Sequence, residues 1–169
     1  MKIDLQALFE FAEALVFVHS FSLPLVHGDL KSRNILLSTD MKAKLTDLGT
    51  TRERPENKTM TIGVISGTQD YGPAADIFSV GVVLAALDSH ALPYEELQGA
   101  NGNKLHEVAV LQKVSTGELR PTFRAEWPEK IAQLTDRCLT LSPYDRPSSP
   151  ELAYALRTIM KQVLAGSYV

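Results

Sequence analysis

The sequence predicts a mostly α-helical domain of the α+β kind, with one short β-hairpin set among its helices. Three observations carry this. Apolar residues recur at helical spacing from Leu5 to His19, through Leu8, Phe9, Ala12, Leu15 and Val16. The run from Asp76 to Leu87 is apolar on nearly every side, which in a globular protein marks a helix buried at the centre of a domain. The tripeptides Ile35–Leu37 and Ala43–Leu45 are too short for helices and flank Ser38-Thr39-Asp40, which is turn chemistry, so they read as two strands of a hairpin.

Taken in order, the first helix has Asp4 available as an N-cap, carries Glu10 and Glu13 on its polar face, and ends between Ser20 and Pro24. After the hairpin, residues 50–61 are polar, carry both charge signs and include Pro55, so they read as a mobile loop. Asp76 stands at the start of the central helix, where a carboxylate can accept from backbone N–H groups that have no partner within the helix. Leu92-Pro93-Tyr94 opens a loop with glycines at 99 and 102, and a weaker helical pattern from Lys104 to Val114 places Leu105, Val108 and Leu111 on one face before Gly117. Trp127-Pro128-Glu129 starts a helix running through Ile131, Leu134 and Cys138 to Leu139. Pro143 to Pro147 makes a rigid turn, and Ser148 with Glu151 has the spacing of a capping box for a last helix through Leu152, Ala155, Leu156 and Ile159.

Composition narrows the function classes. A chain of 169 residues is long enough for one domain with a sizeable core, and 44% hydrophobic with 22% charged residues is a globular rather than a disordered balance. The net charge of −3 gives no electrostatic case for nucleic acid or an anionic membrane as partner. A single cysteine, Cys138, excludes an intrachain disulfide framework and suits a reducing cytosol, so a cytoplasmic location is expected. Asp4, Glu10 and Glu13 interrupt the N-terminal stretch too early for a signal peptide, and no run approaches the roughly 18 uninterrupted apolar residues of a membrane helix.

The chemistry is concentrated between Val26 and Gly49. His27-Gly28-Asp29 is turn-like, Lys31 follows two residues on and Asn34 three further, and beyond the hairpin comes Asp47-Leu48-Gly49. Two acids and an amide are thus brought together by a hairpin. Phosphoryl transfer needs such a set: oxygen ligands for Mg²⁺, which takes one or two carboxylates plus phosphate oxygens, a base near the attacking hydroxyl, and positive charge near the oxygens that gain charge. Asn34 and Asp47 fit the first need, Asp29 the second and Lys31 the third.

His-Gly-Asp-Leu-Lys-Ser-Arg-Asn with Asp-Leu-Gly behind it resembles the catalytic loop and metal-binding turn of eukaryotic protein kinases, in particular the tyrosine-kinase-like group of serine/threonine kinases. Asp76-Ile77-Phe78-Ser79-Val80-Gly81 and Pro143-Tyr144-Asp145-Arg146-Pro147 resemble two further segments of the same family. The resemblance implies a kinase-like fold, ATP and Mg²⁺ as substrate and cofactor, and a protein serine or threonine as phosphoryl acceptor. It implies Asp29 and Lys31 as catalytic, Lys31, Asn34 and Asp47 as contacts of the Mg²⁺-nucleotide, and Asn34 and Asp47 as the metal ligands. Asp76 is then structural, the acid that ties down the backbone of the catalytic loop. Residues 50–61 become the activation loop, with Thr50, Thr51, Thr59 and Thr61 as its hydroxyls.

The resemblance covers essentially the whole chain but corresponds only to the helical C-terminal lobe, so residues 1–169 are expected to form a partial kinase domain without the N-terminal lobe. They contain no glycine-rich phosphate-covering loop and no Val-Ala-x-Lys strand. The segment 50–75 is shortened: Thr61-Ile62-Gly63 runs into Val64-Ile65-Ser66-Gly67 without the Ala-Pro-Glu that the family carries before its central helix. Arg146, which pairs with that glutamate in the family, must therefore be exposed or paired with another acid. Gly28 stands where many kinases have arginine, which removes a receptor for a loop phosphate, and Leu48 replaces a phenylalanine and should pack under His27. The chain alone is expected to be inactive and to self-associate or recruit a partner through the surface facing the absent lobe. A kinase-like binding or scaffold module is the alternative.

Overall fold

A computed structural model describes residues 5–22, 25–40, 42–48, 72–91, 93–94, 97–98, 102–121 and 127–166. The elements are α1 (Leu5–His19), β1 (Ile35–Leu37), β2 (Ala43–Leu45), α2 (Pro73–Ser89), α3 (Glu107–Ser115), α4 (Glu129–Cys138) and α5 (Ser149–Leu164), with short 3₁₀ turns at Ser32–Asn34 and Pro143–Asp145. The described residues are mostly helical and include a two-stranded antiparallel sheet, in the register Ile35 to Leu45, Leu36 to Lys44 and Leu37 to Ala43. The expected N-cap at Asp4, the threonines of residues 50–61 and the shortened segment up to residue 71 lie outside the described residues.

Helix α1 buries Leu8, Phe11, Ala12 and Leu15 along the length of α5, whose Leu152, Leu156 and Ile159 face them. The N-terminus of α5 closes with the expected capping box: the Ser148 hydroxyl accepts from the Glu151 N–H while the Glu151 carboxylate accepts from the Ser148 N–H at 2.7 Å. That second contact holds the Glu151 carboxyl below the usual carboxylate range.

Helix α2 is the centre of the domain, with Ile77, Val80, Leu84 and Ala85 almost completely buried. It packs against α4, and Gly81 makes the approach possible: a Cβ there would lie 2.8 Å from Cγ of Leu139. Cys138 and Ile131 of α4 complete this core, and burial pushes the Cys138 thiol up to about 12.

Helix α3 differs from its expected form. It begins at Glu107 because Lys104 is drawn into a bridge with Gln98, and Leu105 donates its N–H to the Leu97 carbonyl at 2.8 Å. Val110 and Val114 join Phe78 and Leu139 in a second cluster, while Val108 is exposed.

Candidate active site

The loop Val26–Lys31 enters the site between α1 and α2, held by a carboxylate. Asp76 accepts the His27 N–H at 2.7 Å on Oδ2 and the Gly28 N–H at 2.9 Å on Oδ1. The N-cap of α2 is Gly72, with Pro73 in the first turn, so the Asp76 side chain serves the loop and not its own helix end. Gly28 sits at φ 75°, a left-handed conformation in which a side chain is strained.

His19 also lies against Asp76, with Nε2 3.0 Å from Oδ2 and Nδ1 3.0 Å from the Ser149 hydroxyl. A carboxylate only accepts, so Nε2 carries the proton of this contact. Thus the last residue of α1, the first of α5 and the buried acid of α2 form one polar chain beneath the loop. A lone histidine at a helix end gave no sign of this role, because its two partners lie 57 and 130 residues away in sequence.

The fully buried ring of His27 links the loop to the hairpin. Its Nε2 lies 2.9 Å from the carbonyl oxygen of Thr46, which can only accept, so the proton is on Nε2 and Nδ1 is left as the acceptor facing the Asp29 N–H at 3.4 Å. Thr46 returns toward the loop through its N–H, 2.9 Å from the Asn34 carbonyl, and its hydroxyl, 3.2 Å from the same oxygen.

Three of the four predicted residues are in direct contact. Lys31 Nζ lies 2.6 Å from Asp29 Oδ2, and Asn34 Nδ2 donates to the Asp29 carbonyl at 2.8 Å and to its Oδ2 at 3.2 Å. Both Asn34 contacts are to oxygen acceptors, so the amide nitrogen faces Asp29 and Oδ1 is turned to the other side as a hard oxygen donor. Asp47 is brought in one residue beyond Thr46, exposed and at φ 61°, an unusual backbone conformation for a residue with a side chain. The set is oxygen-rich and its cation lies beside the acid, which suits Mg²⁺ on phosphate oxygens and a proton acceptor at Asp29. Among the described residues no cluster of three or more histidine, cysteine, aspartate or glutamate side chains could hold a metal ion.

Two expectations are corrected. Leu48 does not pack under His27: the chain turns at Asp47 and leaves Leu48 half-exposed. For Arg146 the alternative of exposure is overturned, and among the described residues no acid pairs with it. It is buried, donating to the carbonyls of Thr140 at 2.8 Å, Ala74 at 2.8 Å and Leu141 at 3.0 Å, with Phe78 beneath its guanidinium. Burial lowers its affinity for a proton, to about 10.

Comparison with known proteins places this loop and hairpin in a family. The family model of the protein kinase domain matches residues 5–156, and the chain belongs to that family. It is 32% identical over 151 residues to a putative mitogen-activated protein kinase kinase kinase 7-like protein of Drosophila melanogaster, covering 83% of this chain and 37% of that protein. It is 33% identical over 157 residues to the probable serine/threonine-protein kinase kinX of Dictyostelium discoideum, covering 86% and 13% respectively. An EPD1-interacting receptor-like cytoplasmic serine/threonine-protein kinase of Nicotiana benthamiana is 28% identical over 169 residues, with 88% and 36% covered. The chain therefore spans well under half the length of each of these curated relatives.

Proposed function

We propose that residues 1–169 are the C-terminal lobe of an ATP-dependent protein serine/threonine kinase, a partial kinase domain whose segment 50–75 is shortened. The observation that carries the reading is the knot of Asp29, Lys31 and Asn34, joined through Thr46 and His27 to the turn at Asp47. A scaffold has no need of all four side chains in this arrangement.

Asp29 orients the hydroxyl of a protein serine or threonine and takes its proton on a carboxylate oxygen. Lys31, already at that carboxylate, offsets charge on the transferred group. Asn34, through Oδ1, and Asp47 are the oxygen ligands for Mg²⁺, which when bound neutralises charge on the phosphate oxygens. The contact from Lys31 also keeps the Asp29 carboxylate aimed until substrate arrives.

The same reading accounts for the surface beside the site. Leu36, Leu37 and Leu48 are each about half-exposed on and just beyond the hairpin, apolar surface that an upper lobe, a second copy or another partner would cover. A cytoplasmic location fits the single buried Cys138, and among the described residues no helix is long and apolar enough to cross a membrane.

Residues 1–169 alone lack the groups that align nucleotide and substrate, and lost alignment is worth up to about 7–11 kcal/mol, so phosphoryl transfer by this stretch alone falls below detection. The test is to join it to a tyrosine-kinase-like upper lobe and an Ala-Pro-Glu segment and to measure phosphate transfer to a protein substrate. Asp29→Asn should abolish turnover with nucleotide binding nearly intact, whereas Asp47→Ala should weaken both. An inert joined protein, or one whose Asp29→Asn variant matches the parent, would leave a kinase-like scaffold as the function.

A further inference from the structure

The hairpin has an inner and an outer row of backbone groups. Ser38 donates its N–H to the Lys42 carbonyl and Thr46 donates its N–H to the Asn34 carbonyl, each at 2.9 Å. With Leu36 opposite Lys44, the bonded pairs of the antiparallel ladder fall on alternate residues, and the N–H of Ala43 points away from β1. It would face outward unpaired but for α1. Glu10 Oε2 accepts it at 3.1 Å, and Gln6 Nε2 donates to the other carboxylate oxygen at 2.8 Å, fixing the carboxylate on the helix.

This is a contact between residues 33 positions apart, from the rigid face of α1 to the strand that leads into the metal-binding turn. Ala43 is followed after two residues by Thr46, which is bonded to Asn34, and then by Asp47 in its left-handed conformation. So short a connection passes any slip of β2 directly to Asp47. We infer that Glu10 is a positioning residue, whose carboxylate anchors β2 to α1 and thereby sets the place of Asp47 relative to Asn34. The functional part of this inference rests on the reading of Asp47 as a metal ligand.

Amide hydrogen exchange followed by NMR tests the anchoring without any metal. In Glu10→Leu, the Ala43 and Thr46 amides should both exchange about tenfold faster or more, while the Leu156 amide in α5 keeps its parental rate. Glu10→Gln retains an oxygen acceptor and should leave both amides near the parental rate. Faster exchange at Ala43 alone, unchanged exchange at both, or Glu10→Gln behaving as Glu10→Leu would overturn the inference. Should Glu10→Leu not fold, Gln6→Ala, which frees the carboxylate without removing it, is held to the same pattern at smaller amplitude. Added Mn²⁺ provides the second arm. In the parent it should broaden the Asn34 and Asp47 resonances together, and in Glu10→Leu the Asp47 broadening should fall relative to that of Asn34. Parent broadening at neither residue would defeat the metal-ligand reading, while the exchange result would still decide whether Glu10 anchors the strand.

Discussion

The guanidinium carbon of Arg146 lies 4.9 Å from the centre of the Phe78 ring, and Nε, Nη1 and Nη2 each donate to a backbone carbonyl. Among the described residues no acid pairs with this buried arginine, which is held by a cation–π contact and three carbonyl oxygens, one of them from the first turn of α2.

Arg146→Met should lower stability by about 2–4 kcal/mol, since three partly buried carbonyls lose their charged donors at once. Arg146→Lys keeps the charge but not the planar fork, and should cost about half as much. Urea unfolding of the two variants checks the order, and equal stability of Arg146→Met and the parent would contradict it.

Asp76→Asn should be destabilising although it is nearly isosteric. Three N–H donors converge on the Asp76 carboxylate, from His27, Gly28 and His19, and an amide presents only one oxygen and sets its own N–H groups against at least one of those donors. The expected cost is about 2–3 kcal/mol, or about 4–12 °C in Tm for a chain of this size. Thermal melts together with faster exchange of the His27 and Gly28 amides measure it.

Cys138 should titrate differently in the folded and unfolded chain. Its thiol is pushed up by burial from 9.0 to about 12, so the folded state keeps a proton that the unfolded state loses. Stability is then independent of this group below pH 9 and falls with rising pH between about 9 and 12, by roughly 1.4 kcal/mol per pH unit while the two states differ by one proton. Alkylation at pH 8 should be slow in the folded protein and track unfolding, and rapid modification under native conditions would refute the protected thiol.

Magnesium-dependent nucleotide binding by residues 1–169 should be weak and made through phosphates. Dissociation in the millimolar range, about −4 kcal/mol, is expected when the adenine contacts of an upper lobe are missing. Titration calorimetry should find this affinity further reduced in Asp47→Ala and Asn34→Ala and unchanged in Tyr154→Phe, a distant exposed site. Micromolar ATP binding by residues 1–169 would require an adenine site that the proposed reading does not supply.

Much of the fold was legible because its signals are local. The apolar spacing of α1, the all-round apolarity of α2, the Ser148–Glu151 capping box and the two hairpin tripeptides each specify backbone conformation within one or two turns of chain. The grouping of Asp29, Lys31 and Asn34 was legible for the same reason, since these residues lie within six positions and meet through a single 3₁₀ turn. What the tertiary structure alone decided is which distant groups complete them: His19 with Asp76 and Ser149, His27 with Thr46, Glu10 with the edge of β2, and the carbonyl cradle of Arg146. The buried face of α3, likewise, was settled by the packing of Val110 and Val114 against Phe78 and Leu139. A buried polar atom must find a partner whatever its place in the chain, and only the packing of the helices determines which carbonyl, hydroxyl or carboxylate is within reach.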